Sequence, residues 1–284
     1  MNDKTEKKED EGSSCKTPDG FELHERWWQT EAPAKAGVII VHGLAEHCGR
    51  YNHVAEHLNR NDYAVAAFDL RGHGLSDGRR SYITSFDNFL NDLDQFMERV
   101  REKIPGIPLF LMGHSMGGAI VTLYSCTRQP DIRGVLLSGA ALKRGRDVSP
   151  LMVFIAKILS TVLPRMALSK LDSSTISRDP EIVNQYDSDP LNYRGGMPSR
   201  TGMEIMRAME RIGELMENLT LPVIIMHGTG DKLVDSEGSK QLYERAGSED
   251  KTLKLYDGLF HEILNEPEKE QVIKDMVAWM DNRI

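Results

Sequence analysis

The sequence predicts an α/β protein: a mostly parallel β-sheet flanked by helices, with one helical insertion. Three observations predict it. Short runs dense in Val, Ile and Leu recur along the chain, bounded by Gly or Pro, as expected of strands buried on both faces. Amphipathic helical stretches alternate with several of them, and such alternation builds a sheet with helices on both faces. The alternation fails once, over roughly residues 143–211, where five prolines and helical or irregular segments replace any convincing strand.

FELHERWWQT reads as an early strand, followed by the runs AGVIIVHG, YAVAAFDL, PLFLMGHS, IRGVLLSG, LPVIIMHG and TLKLYDG. Helical patterns occupy SFDNFLNDLDQFMERVREKI, GGAIVTLYSCTRQ, SKQLYERAG and EKEQVIKDMVAWMDNR. The 284 residues suit one α/β domain with an insertion, here 19–284, the insertion forming a cap over one end of the sheet. Residues 1–18 are polar and read as a disordered tail, with no apolar stretch of a secretory signal.

Composition excludes several classes. A net charge of −8 argues against nucleic acid, whose phosphates call for a basic surface. Three scattered cysteines, Cys15, Cys48 and Cys126, do not make a disulfide framework and suit reduced thiols in a cytoplasmic protein. No run of about 18 uninterrupted apolar residues marks a membrane-spanning helix. No GxxxxGK[ST] or GxGxxG pattern supports nucleotide binding. His53 and His57 lie in an H-x-x-E-H pattern that could hold zinc, but on a helix outside the sheet they read as a polar face, and no metal is expected.

The chemistry centres on Gly113-His114-Ser115-Met116-Gly117. This G-x-S-x-G pentapeptide follows an apolar strand and opens a helix, the setting of a nucleophile elbow. A serine hydroxyl attacks only when a base removes its proton. His261 follows the last strand-like run and suits the base, whereas His227 ends a strand and reads as structural. For the acid, Asp231 directly follows strand LPVIIMHG and a glycine turn. Asp235 reads instead as a helix N-cap, and Asp257 is a remoter choice. The backbone amides of Met116 and Leu44 are the candidate oxyanion donors. The loop Asp69–Ser76, with Gly72 and Gly74, reads as a structural border of the site.

Together the segments HGLAEHCGRY, DLRGHGLSDG, PLFLMGHSMGGAI, LDSSTISRD, YDSDPL, HGTGDKLVD and DKTLKLYDGLFHEILNE resemble the monoacylglycerol lipase family of α/β-hydrolases, with related lysophospholipases close by. The resemblance runs from about Ile39 to the C-terminus and includes cap segments outside the general catalytic motifs. It implies an eight-stranded core under a mobile helical cap, and cleavage of one acyl chain from glycerol without a cofactor. It places the triad on Ser115, Asp231 and His261, and the oxyanion donors on Leu44 and Met116. It maps a polar pocket for the glycerol hydroxyls onto Glu46, Arg50, His114 and Tyr186, although Glu46 with Arg50 also reads as an ion pair and Tyr186 as cap packing. Leu44 departs from the family's small residue, and Tyr193 and Val234 stand where mammalian members carry cysteines. A broad carboxylesterase, a lysophospholipase and a non-turnover ligand-binding homologue share the same frame. The expected partners are a lipid monoester and, through the apolar run Val148–Leu163, a membrane surface touched peripherally.

Overall fold

The structure is a computed structural model that describes residues 13–143, 150–168 and 170–284. Eight strands form one sheet in the order β1-β2-β4-β3-β5-β6-β7-β8. They are β1 (Ser13–Lys16), β2 (Glu22–Trp28), β3 (Ala36–Val41), β4 (Tyr63–Phe68), β5 (Leu109–His114), β6 (Gly134–Ser138), β7 (Val223–Gly228) and β8 (Lys251–Tyr256). The pairs β1–β2 and β2–β4 are antiparallel and the rest parallel. Seven of the strands coincide with the apolar runs read from the sequence.

The alternation of side chains along a strand divides the core in two. Ile39 and Val41 of β3 pack on one face of the sheet with Phe89, Phe96 and Ile120. Val38 and Ile40 face the other way, with Val54, Leu58 and Met276. The first layer is made by helices α2 (Asp87–Lys103), α3 (Met116–Arg128), α6 (Ser199–Leu215) and α7 (Glu237–Arg245). The second is made by α1 (Asn52–Asn59) and α8 (Lys269–Asp281).

The chain leaves β3 for β4 on one side, whereas β5 lies on its other side. A crevice therefore opens beyond the carboxyl ends of β3 and β5, where α/β sheets place their ligands. The loop after β3 carries Leu44, and the turn after β5 carries Ser115.

Two expectations about boundaries change. Residues 1–12 of the expected tail lie outside the described residues, but Ser13–Lys16 is strand β1, paired with β2 at the sheet's edge. An antiparallel edge needs few apolar residues. Here Cys15 alone of the four is buried, and Ser14 Oγ donates to Glu22 Oε1 at 2.5 Å. The insertion's expected end at residue 211 falls inside α6, which runs on to Leu215 because its apolar stripe Met203, Ile205, Ala208 and Ile212 continues into the core.

Between β6 and α6 lie α4 (Pro150–Val162) and α5 (Pro180–Ser188), with one isolated bridge from Ala167 to Pro198 and no strand among the described residues. Asp179 caps α5, its carboxylate accepting from the Glu181 amide at 2.9 Å, and Pro180 stands at the first helical position. Among the described residues no helix is long and apolar enough to cross a membrane. Cys15, Cys48 and Cys126 are buried and free, and burial pushes all three thiols above their ordinary range.

Candidate active site

The sharp turn at Ser115 follows from what surrounds its neighbours. Ser115 has φ 53° and ψ −118°, a backbone conformation that costs energy for any residue with a Cβ. The turn is held by the Ser115 amide donating to Ser138 O at 3.0 Å, and by Ser115 O accepting from Ala119 and Ala141. A Cβ on Gly117 would lie 2.1 Å from Val41 O, and one on Gly113 would lie 2.4 Å from Gly117 O. Only glycine lets α3 start this close to β3 and β5, and that close start keeps Ser115 at the lip of the sheet.

The loop after β3 is fastened against the same serine. A Cβ on Gly43 would sit 3.2 Å from Ser115 Cβ. The Gly43 amide donates to Glu46 Oε1 at 2.6 Å, and His42 secures the loop from below. His42 Nε2 accepts from the Leu70 amide at 2.9 Å, so Nδ1 carries the proton and donates to Gly43 O at 2.8 Å. The next amide along this loop is that of Leu44. The Met116 amide opens α3, where the first N–H groups of a helix have no intrahelical acceptor. The two candidate oxyanion donors are thus the amides that directly follow Gly43 and Ser115 in the chain.

His261 Nδ1 donates to Asp231 Oδ2 at 2.7 Å. That bond fixes the tautomer and leaves Nε2 with a lone pair. Burial alone would lower the pKa of His261, but the charge and hydrogen bond of Asp231 reverse the effect and raise it. Burial acts oppositely on Asp231, and there the imidazole and backbone donors win, holding the carboxyl well below its ordinary range. Asp231 Oδ1 accepts from the Leu233 and Val234 amides at 2.8 and 2.9 Å. Asp235 instead accepts from the Glu237 amide at the start of α7, and Asp257 accepts from Thr229 Oγ1. Of the three carboxylates considered, Asp231 is the one bonded to His261.

His227 does more than fill space. Fully buried, it places Nε2 3.1 Å from the same Asp231 Oδ2 and Nδ1 2.7 Å from Ser239 Oγ. The four-residue spacing in HGTGD, from the last turn of a strand into the acid loop, is the signal that could have shown it.

Ser115 and His261 border one cavity of about 460 Å³. Glu46, His114 and Glu262 form a buried polar end, whereas Leu44, Leu171, Ile176, Met197, Leu233 and Val234 supply apolar walls interrupted by Lys170, Asp172, Thr175 and Lys232. The serine turn, the His261–Asp231 pair and this two-sided cavity together describe a serine hydrolase site.

Known proteins agree. A family profile described as serine aminopeptidase, S33, matches residues 32–268. Monoglyceride lipase of Mus musculus is 39% identical over 269 residues, covering 94% of this chain and 89% of that one. Monoacylglycerol lipase of Mycolicibacterium smegmatis is 37% identical, covering 89% and 90%. The crystal structure of Paleococcus ferrophilus monoacylglycerol lipase superposes with a TM-score of 0.84 at 35% identity, over 92% of this chain and 99% of that one. The chain belongs to the monoglyceride lipase family of α/β-hydrolases.

Within this family frame, the four polar-pocket positions separate. Glu46 lines the cavity, accepting from Arg50 Nη1 at 2.7 Å and from the Tyr51 hydroxyl at 2.9 Å. Arg50 also grips Glu262 with both terminal nitrogens at 2.7 Å and stands behind the cavity wall, its guanidinium 4.9 Å from the Tyr186 ring centroid. Tyr186 reaches the cavity too, but its hydroxyl donates to Ala45 O at 3.1 Å. His114 packs 4.8 Å from the His261 ring and is pushed down to about 4 by burial, then by His261, so it stays neutral at pH 7. Glu262 was not expected from the sequence. An acid directly after the candidate base is its only local signal, and its partner lies 212 residues away.

The segments read as bystanders have structural tasks. Asp69 accepts from the Cys48 and Leu75 amides, tying its loop to the one after β3. His53 donates through Nε2 to Leu264 O, and His57 lies 3.4 Å from Glu270. Tyr193 donates its amide to Ala45 O, and Val234 lines the cavity.

Proposed function

We propose that this member of the monoglyceride lipase family hydrolyses monoacylglycerols to fatty acid and glycerol. The observation that carries the reading is the cavity itself: a serine elbow and a carboxylate-held imidazole between a buried polar end and apolar walls. The polar end suits the glycerol hydroxyls and the apolar walls suit one acyl chain. The names of the mouse and mycobacterial relatives point to the same substrate.

In this mechanism Ser115 attacks the ester carbonyl while His261 Nε2 takes its proton. Asp231 holds the imidazole and stabilises its cation. The amides of Leu44 and Met116 receive the developing oxyanion. His261 then protonates the departing glycerol oxygen, and water, deprotonated by the same histidine, releases the fatty acid from Ser115.

The cap supports approach to a lipid surface. Around the end of α4 and beyond it, Ile158, Val162, Leu163, Leu168 and Leu171 are exposed, and Leu171 also lines the cavity. An apolar face of this kind can lie in a membrane interface with Lys157 near the headgroups. Val148 and Ser149, at the start of the expected interfacial run, lie outside the described residues. The substrate reaches such an enzyme from a lipid phase, which suits a cytoplasmic protein with peripheral membrane contact.

The test is a panel of monoacylglycerol, lysophosphatidylcholine and short-chain esters in mixed micelles, with Ser115→Ala as control. Monoacylglycerol should give the highest kcat/KM, and the variant should lose roughly 10⁴-fold or more. Activity within a few-fold of the parent in Ser115→Ala would overturn the nucleophile. A preference for lysophosphatidylcholine or short esters would overturn the substrate.

A further inference from the structure

At the polar end of the cavity one cation is shared by two carboxylates. Arg50 Nη1 donates to Glu46 Oε2 and Glu262 Oε1, and Nη2 donates to Glu262 Oε2. Glu46 is 4% exposed and Glu262 is 5% exposed. Burial would favour protonating both, but Arg50 prevails and holds each carboxyl below its ordinary range. Two ionised carboxylates around one guanidinium leave one net negative charge away from water. The groups that complete the cluster, Tyr51, Asn265 and the neutral His114, do not offset it. Two other cations border the cavity, Lys170 and Lys232, and both are exposed, with Lys232 Nζ 5.0 Å from the Phe260 ring centroid.

We propose that this excess charge selects the alcohol half of the substrate: the site takes fatty-acid esters of uncharged polyols and rejects those whose alcohol carries a phosphate. The proposal rests on the hydrolase reading above, with the alcohol at the Glu46–Glu262 end. A phosphomonoester bears about −1.5 to −2 charges at pH 7. At an effective dielectric near 20, each unit of like charge about 6 Å away weakens binding on the order of a hundred-fold. Arg50 cannot relieve this, because it stands behind the cavity wall and its single charge is already outweighed by the two carboxylates that hold three of its five N–H donors. Neutral hydroxyls meet the opposite situation, since carboxylate oxygens keep lone pairs to accept from them.

The experiment compares three esters of one fatty acid in neutral-detergent micelles. The alcohols are glycerol, glycerol 3-phosphate and diglycerol, the last an uncharged alcohol of comparable bulk. The parent enzyme should prefer the glycerol ester to the glycerophosphate ester by about a hundred-fold or more in kcat/KM, and accept the diglycerol ester within about ten-fold. Glu262→Gln, which makes the cluster neutral, should narrow the glycerol-to-phosphate ratio by at least about ten-fold and barely move the glycerol-to-diglycerol ratio. Ratios taken on one enzyme cancel any change in the basicity of His261. Glu46→Gln neutralises the other carboxylate and replaces the first variant should that one fail to fold.

A parent that cleaves the glycerophosphate ester within about ten-fold of the glycerol ester overturns the proposal. An unchanged ratio in a folded neutral variant does so too. Rejection of the diglycerol ester as strongly as the phosphate would assign the selection to bulk instead of charge. Failure to cleave the glycerol ester at all would sink the hydrolase reading, a distinct result.

Discussion

At the floor of the cavity Asp231 takes part in four hydrogen-bond contacts, and a Cβ added at Gly113 or Gly117 would meet backbone at little more than 2 Å. Over the cap, Val162 is 68% exposed and Leu163 is 50% exposed. The floor is held by directional bonds among buried groups, where a shift of an ångström breaks the chemistry. The cap has its own anchor on the body, where the Thr201 hydroxyl donates to Ser81 O, the Tyr186 hydroxyl to Ala45 O and Arg178 Nε to Glu266 Oε2. Above that anchor it keeps apolar surface that only a lipid phase or another apolar surface would cover. The difference assigns rate to the floor and access to the cap.

Substitutions can break or sharpen that division. The largest effect should come from Asp231→Asn, which keeps the shape but favours the wrong imidazole tautomer. We expect kcat to fall roughly 10⁴-fold on every ester, aggregated or soluble. A loss confined to aggregated substrate would dissolve the contrast between floor and cap.

Next is His227→Leu, which removes one donor from Asp231 Oδ2 and leaves Ser239 without its buried partner. Steady-state kinetics should show kcat reduced on the order of ten-fold or more with KM little changed, and His227→Gln, which can still donate, should recover most of it. Equal losses in the two variants would mean that His227 only fills space.

A smaller effect, and opposite in kind, is expected for Val162→Ser with Leu163→Ser. Activity on micellar monoacylglycerol should drop about three- to ten-fold through KM, while a soluble short-chain ester is cleaved as before. Equal loss on the soluble ester would place these residues in the catalytic frame.

The mildest probe is pH. His261 must be neutral to accept the serine proton. Because Asp231 raises its pKa, activity should be lost on acidification through a value above the ordinary histidine range. His114, pushed down to about 4, should not contribute to that limb. The cap substitutions should leave the limb where it is, and kcat/KM profiles of the two enzymes would show whether they do.

Most of the sheet was legible because parallel strands are buried on both faces and so are mostly apolar, as β3, β5 and β7 are up to the histidines near the ends of the latter two. β1 was not, because at an antiparallel edge only Cys15 needed to face inward. Ser115 could be read from glycine spacing and strand–turn–helix context, since the elbow is a local steric problem. His227 and Glu262 could not be read in full. Glu262 takes its meaning from Arg50, 212 residues away, and His227 from the turn that folds Asp231, four residues on, back onto its ring.

By itself the sequence determined the periodicity of the elements, the place of the insertion, the glycines of the elbow and the chain order of serine, acid and histidine. Each of these is read from a local residue pattern and from its place along the chain. Only the tertiary structure decided which carboxylate bonds to His261, where the cavity changes from polar to apolar, and that two buried glutamates share one arginine. The strength and sign of electrostatics depend on burial and on distance through space, and neither is fixed until the sheet has brought its loops together.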